Sequence, residues 1–532
     1  MKRRAFLSAS GSALVPGALP SSALSSPALA QPAGRRVLKF VPQANLASLD
    51  PIWTTANITR HHAFMIYDTL YGLDGDFVAR PQMAEGHVTE DGDLTCIITL
   101  REGLRFHDGE PVRARDAVAS LRRWMRRNAA GQYIEAGLAE LTAPDDRRIR
   151  FRLTRPQPRL IDALASVTAP VPFIMPERIA ATDAFSQVRE TVGSGPFRFK
   201  ADEYLSGSRA VYERNPDYLP TSDRARGLTA GPKQVHFDRV EWHIIPDAGT
   251  AAAALQSGEM DWYENPPPEL ATLLRRARGV TVEAMDTLPQ PGILRLNHLH
   301  PPFDNRGVRQ ALLAAIDQRD FMAAVVGDDP ANYVADCGFF TPGTPMASRE
   351  GLPRPVDVQR AQAMLRDAGY KGEPVRLIGP TDILAPTAIS QVAADLLRRV
   401  GFNLDLVLSD WGSVVQRRAS REPLDKGGWS IFPTAVNSTD FIDPAVHFAI
   451  RGNGSGAWFG WPTIPRLEQL RDAWFLAGTI GEQKQIAAEI QRVAVEEVPY
   501  LPVGAYRSPT ALRRELRDRV IGFSIFWGLR RE

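Results

Sequence analysis

Residues 95–111 read Thr95-Cys96-Ile97-Ile98-Thr99-Leu100-Arg101-Glu102-Gly103-Leu104-Arg105-Phe106-His107-Asp108-Gly109-Glu110-Pro111, and how they are read decides the fold. The first six are mostly β-branched or apolar and predict a strand. Gly103 turns the chain, Leu104-Arg105-Phe106 resumes as a second short strand, and Asp108-Gly109 supplies tight-turn chemistry. A helix is predicted from Asp116 to Arg127, because Ala117, Val118, Leu121, Trp124 and Met125 fall at helical spacing.

Outward from this block the same mixture continues. Val37–Val41 predicts a strand, Asp50-Pro51 breaks the chain, and a helical stretch runs through His62 to Tyr67. Pro and Gly punctuate residues 193–196 and 215–232. In the second half, a helix is predicted over Val308–Val326, with Val308, Ala311, Leu312, Ala315 and Ile316 on one face. Another runs from Arg360 to Ala368 and stops at Gly369. A strand over Val375–Ile378, a helix over Ile389–Val400 ending at Gly401, and an alternating strand over Phe402–Leu408 follow. Such alternation predicts an α/β lobe with helices packed over a sheet.

With 532 residues the chain is too long for one ordinary core. Its 63 Lys and Arg nearly balance its 61 Asp and Glu, for a formal charge of +2. Removing residues 1–30 takes away Lys2, Arg3 and Arg4 and no acid, which leaves −1. No electrostatic case for a nucleic-acid partner exists at that balance. Cys96 and Cys337 are the two cysteines; they show no metal spacing and cannot be paired from sequence.

The first 30 residues read as a signal peptide. Lys2-Arg3-Arg4 opens the chain, a weakly apolar stretch broken by Gly11, Pro16 and Gly17 follows, and Ala28-Leu29-Ala30 gives the small-residue cleavage pattern. Arg3-Arg4-x-Phe6-Leu7 resembles the twin-arginine signal. Cleavage is expected after Ala30. No Cys follows it, so no lipid anchor is expected, and no later segment offers about 18 uninterrupted apolar residues.

The sequence contains no G-x-S-x-G, no H-E-x-x-H and no G-x-x-x-x-G-K, the short signatures of nucleophilic, zinc-dependent and phosphate-cradling sites. Gly452-Asn453-Gly454-Ser455-Gly456-Ala457 fits G-x-G-x-x-A, but Trp458-Phe459-Gly460-Trp461-Pro462 cannot open a helix, so a loop is predicted. His298 and His300 would share one face of a strand, but no Cys or carboxylate stands beside them in sequence. A pair of surface or interface histidines is the expectation.

Several spaced segments resemble one family. Leu49-Asp50-Pro51, Tyr67-Asp68-Thr69-Leu70, Pro81 to Glu85, Leu100 to Pro111, Ala114-x-Asp116-Ala117-Val118, Val192-Gly193-Ser194-Gly195-Pro196-Phe197 and Arg214-Asn215-Pro216-Asp217-Tyr218 stand in the order and spacing of its motifs. Ala254 to Asp261 and Pro302 to Leu312 continue the series. The chain thus resembles the family 5 extracellular solute-binding proteins, among them dipeptide-, oligopeptide-, nickel- and glutathione-binding members. The resemblance implies an α/β periplasmic clamshell of the type II kind with an inserted domain. Domain I would comprise 36–67, 193–285 and 505–532, domain II 68–192, and domain III 286–504. It implies a monomer in the periplasm that binds a peptide or similar small solute without a cofactor and delivers it to an inner-membrane ABC permease complex. A nickel or metal-chelate binder of the same fold is the second expectation, and a secreted hydrolase a third.

In peptide-binding members a W-x-x-D-x-x-[DE]-P segment supplies the acid that binds the ligand's α-ammonium. Here it corresponds to Asn437-Ser438-Thr439-Asp440-Phe441-Ile442-Asp443-Pro444, so the resemblance carries that role to Asp440, with Asn437 where the family has Trp. Trp429 and Phe441 are candidate cleft aromatics, with core packing the competing reading. The residue that would meet the ligand's far end is not assigned by the sequence.

Overall fold

The computed structural model describes residues 36–224, 227–353 and 355–532. The signal residues Arg3, Arg4, Ala28 and Ala30 lie outside them. Three sheets organise the described chain. A seven-stranded sheet has the spatial order Phe197–Phe199, Arg209–Arg214, Arg239–His243, Val37–Val41, Trp262–Tyr263, Pro509–Arg513 and Val280–Ala284. A six-stranded sheet orders Tyr333–Val334, Leu501–Tyr506, Gln290–Leu296, Ile431–Ala435, Pro374–Pro380 and Asn403–Ser409. A four-stranded antiparallel sheet is made of Ala84–Glu90, Thr95–Leu100, Arg148–Leu153 and Leu138–Thr142.

The chain crosses between the two larger sheets twice, at residues 285–289 and 507–508. The crossings lie side by side. Ala284 is in register with Pro509 on one sheet and Gln290 with Tyr506 on the other. Between them the Met285 N–H donates to Ser508 O at 2.8 Å, and Arg507 Nη1 donates to Thr287 O at 2.9 Å. Two short parallel links joining two sheets are the arrangement that lets packed bodies rotate against each other.

The spaced segments that resemble the family's motifs contact one another. The His107 N–H donates to Gly193 O at 2.8 Å, and its Nε2 lies 3.1 Å from Gly195 O. Asn215 Nδ2 donates to the same Gly195 carbonyl at 3.0 Å, and the Gly195 N–H reaches Ile66 O at 3.0 Å. A side chain at Gly193 would meet Ile66 O at 1.8 Å, so the backbone must be bare there. Asp50 accepts from Arg123 Nη2 at 2.7 Å and from the Ile52 and Val188 N–H groups, all buried. Asp68 is held by Lys233 at 2.6 Å and Tyr218 at 2.9 Å. These acids are saturated inside the protein and shape it.

Three expected elements differ. Leu104–Phe106 makes only an isolated bridge, Arg105 to Pro111, because Phe106 N and Val112 N spend their bonds closing the turn around Gly109. The single helix expected over Val308–Val326 is two, Arg306–Ala314 and Gln318–Val326. Asp317 breaks the run by turning its carboxylate to cap the second, accepting from Arg319 N at 3.0 Å. The strand before the two histidines ends at Leu296, so His298 and His300 sit in the following turn and not on one strand face.

Candidate functional site

The helix Asn57–Ile66 presents an arginine to the interior. Arg60 is 1% exposed and Asp440, in the short turn Ser438–Phe441, 2%. Arg60 Nη1 donates to Asp440 Oδ1 at 2.7 Å and Nη2 to Oδ2 at 3.2 Å. The guanidinium also reaches Val167 O at 3.0 Å and Asn57 Oδ1 at 2.7 Å. Asn437 N–H donates to Asp440 Oδ2 at 3.2 Å. Burial raises the Asp440 carboxyl above its ordinary range although Arg60 pulls it down. The junction ties together segments expected in all three domains. The resemblance assigns Asp440 to a ligand ammonium, and in the structure its carboxylate is already held by Arg60.

The other sequence-selected residues surround this junction or lie away from it. Asn437 is buried, with its Nδ2 lacking a partner among the described residues. Phe441 stacks on His447, with ring centroids 3.8 Å apart, in a cluster with Phe448 and Tyr500. Trp429 is 1% exposed, packs on Phe432 and donates its Nε1 to Ser420 O at 3.1 Å. Both aromatics are engaged in packing contacts. His298 Nε2 is 3.3 Å from Pro499 O, and His300 Nε2 is 2.8 Å from Arg421 O. Among the described residues no three His, Cys, Asp or Glu gather as a metal-binding group, and both cysteines are buried and free.

Two neighbouring cavities meet at Thr55 and Trp458, the first between the seven- and six-stranded sheets and the second also walled by Arg126, Arg127, Pro170 and Phe185 of the expected domain II. The first, about 30 Å³, is walled on one side by Gln43, Asn57 and Asn265 and on the other by Thr434, Trp458 and Arg418. The second, about 180 Å³, takes Trp53 and Arg127 from one side and Arg421 and Trp461 from the other. Thr55 and Trp458 line both, and Trp458 Nε1 donates to Thr55 Oγ1 at 3.2 Å across the interface. Neither reaches the roughly 300–1,000 Å³ usual for ligand pockets. Admitting a peptide-sized solute therefore requires the walls to separate.

Arg418 is the residue that sequence reasoning missed. It is 1% exposed and ringed by Trp411, Phe432, Trp458 and Phe459, with Cζ 4.9 to 5.7 Å from their ring centroids. Among the described residues its side chain makes one hydrogen bond, Nη2 to Thr54 Oγ1 at 3.3 Å, and Nε has no partner. Burial pushes its pKa down to about 9. Cation–π contacts of about 0.5–2 kcal/mol each offset part of that desolvation. A signal for it exists: Trp411, Val414, Val415 and Arg418 follow i, i+3, i+4, i+7 spacing, which puts an arginine on an apolar helix face.

A second buried arginine shows what satisfaction looks like. Among the described residues Arg295 has no carboxylate partner either, yet its Nη1 donates to Ala449 O at 2.7 Å and Pro499 O at 3.0 Å, its Nη2 to Trp458 O at 3.2 Å, and its Nε to Phe459 O. It thereby pins the loop 457–461 that carries two rings of the Arg418 cage. Gly460 in that loop has φ +98°, and a Cβ there would meet Leu296 O at 2.2 Å. Arg295 is a fastener, whereas Arg418 keeps donors in reserve.

Another cavity, about 680 Å³, lies by Leu228, Asp286 and Ile521. Its charged groups are paired locally: Arg519 with Glu283 at 2.7 Å, Arg530 with Asp518 at 2.6 Å, and Asp286 with the Ser438 hydroxyl. It offers volume without an unsatisfied charge.

Two mixed sheets joined by paired crossings, with aromatic, amide and guanidinium groups facing each other across the interface, are the fold of a periplasmic binding protein. The family model for bacterial extracellular solute-binding proteins, family 5 Middle, matches residues 79–455. The "Probable peptide ABC transporter periplasmic-binding protein y4tO" of Sinorhizobium fredii is 36% identical over 478 residues, covering 89% of each chain. The solved structure of AgaA from A. tumefaciens R10 with agropinic acid superposes with a TM-score of 0.76 at 20% identity, covering 93% of this chain and 99% of that one. A dipeptide-binding protein from Pseudoalteromonas sp. SM9913 in complex with Met-Leu gives 0.73 at 21% identity, covering 93% and 100%. The chain belongs to the bacterial extracellular solute-binding proteins, family 5.

Proposed function

We propose that this chain is the exported, periplasmic substrate-binding component of an ABC importer, a monomer that encloses a peptide or peptide-like solute and delivers it to an inner-membrane permease complex. The observation that carries the reading is the interface itself. It sets a caged arginine with unused donors opposite Gln43, Asn57 and Asn265, side chains suited to amide groups. Family membership and the peptide-binding role named for the Sinorhizobium relative support it. In this reading domain I is built on the seven-stranded sheet, domain III on the six-stranded sheet, whose strand Leu501–Tyr506 runs two residues past the expected boundary at 504, and domain II on the four-stranded sheet, with hinges at the two crossings. No helix among the described residues is long and apolar enough to cross a membrane.

A ligand that touches both walls binds the closed arrangement better and shifts the population toward it. Mature protein is melted with a panel of di- to pentapeptides, and scattering is recorded with any hit. Binding at 100 times Kd adds about 2.7 kcal/mol, visible as a raised Tm, and the radius of gyration falls. A panel that moves neither quantity sinks the proposal.

A further inference from the structure

The linings of the two interface cavities contain no Asp and no Glu, but four arginines. Arg126 lies 3.6 Å from Glu135. Among the described residues Arg418, Arg127 and Arg421 have no carboxylate within 4.0 Å. Arg127 donates to Trp53 O at 2.8 Å and sits over the Phe185 ring at 4.7 Å. Arg421 donates to Ser455 O at 2.9 Å and sits over Trp461 at 4.9 Å. Burial first and then the Arg127 charge lower the affinity of Arg418 for its proton, and Arg421 acts in the same sense on Arg127, where burial is the larger cause and Asp50 pulls the other way. Three guanidinium groups have thus been gathered against mutual repulsion, in aromatic surroundings that exclude water and strengthen charge interactions.

The acid that the family resemblance assigns to a ligand ammonium is already occupied. Asp440 receives two bonds from Arg60 and one from Asn437 N, and it lines neither interface cavity. A buried carboxylate holding its own arginine offers nothing to an ammonium group unless that arginine is expelled, which costs several kcal/mol. We infer that the solute is anionic: it places a carboxylate on Arg418 and needs no free ammonium group. Side chains such as Asn57, Asn265 and Gln43 then read its amide or hydroxyl groups. N-acylated amino acids and N-blocked acidic peptides have this chemistry. The inference rests on the proposed function and narrows its ligand class.

The test presents the mature chain with one randomised tripeptide pool in four forms: free, N-acetylated, C-amidated, and modified at both ends. Native mass spectrometry reads the retained peptide. N-acetylation is expected to leave retention within about threefold, because no ammonium contact is lost. C-amidation is expected to reduce it by at least about tenfold, the value of one charge-assisted bond. R418Q should abolish the difference between acid and amide, R418K should keep part of it, and melting without peptide checks that both variants fold. Retention that demands a free amine and ignores amidation overturns the inference and leaves the binding function standing. So does equal retention of all four forms. Retention of none overturns the binding function as well.

Discussion

The guanidinium of Arg60 and the carboxylate of Asp440 meet at 2.7 and 3.2 Å although 380 residues separate them in the chain, and both side chains are at most 3% exposed. They join the helix Asn57–Ile66 to the turn Ser438–Phe441. Breaking such a pair from one side strands a buried charge at a cost of about 3–5 kcal/mol. D440N should therefore lower the free energy of unfolding by about that amount, read by urea denaturation of the ligand-free protein. Replacing both partners, R60M with D440L, should recover most of the loss. A D440N protein as stable as wild type would show that the pair is open in solution.

Acid should destabilise the fold through its buried histidines. Burial takes His62 and His447 down to about 3 and His107 to about 4, from an ordinary 6.5. The sign follows from linkage. Below pH 6.5 the unfolded chain takes up protons that the folded chain refuses, so stability falls as pH falls, by about 1.4 kcal/mol per pH unit for each fully engaged group. Asp440 and Asp443, whose carboxyls burial raises, act in the opposite direction as they protonate. Melting between pH 7.5 and 5 should show the decline, and H62Q should reduce its slope. A flat profile would mean these imidazoles reach solvent.

Export is expected to end with cleavage after Ala30, so the periplasmic fraction should yield an N-terminus at Gln31 by peptide mapping. Replacing Arg3 and Arg4 by Lys should hold the precursor in the cytoplasm. Normal export of that variant would remove the twin-arginine route and leave the signal peptide.

Much of the fold is legible because local chemistry and tertiary role coincide. The strand Thr95–Leu100, the stop at Gly401 with φ +101° and the capped helix ends depend on neighbours within a few residues. The split after Ala314 was hidden because the apolar face runs through Ala315 and Ile316, and only the capping bond of Asp317 shows the break. The site was less legible for a different reason. Asp440 and Asn437 stand out in the sequence, but the partner that fixes the meaning of Asp440 lies on a helix near the start of the chain. Arg418 stands directly after Arg417, and the sequence separates them only by the apolar stripe from Trp411. Two rings of the cage, Trp458 and Phe459, come from the loop after a false G-x-G-x-x-A match, held by Arg295 through main-chain carbonyls, which no residue pattern records.

Hydrogen exchange with and without the free-acid tripeptide pool at saturation tests the central claim most directly, because it shows where solute binds. The account predicts slowed exchange in residues 54–58, 434–436 and 457–461, the two faces of the interface around Arg418, with little change beside Leu228, Asp286 and Ile521. Protection confined to the larger cavity at those three residues, with the interface unchanged, would contradict it.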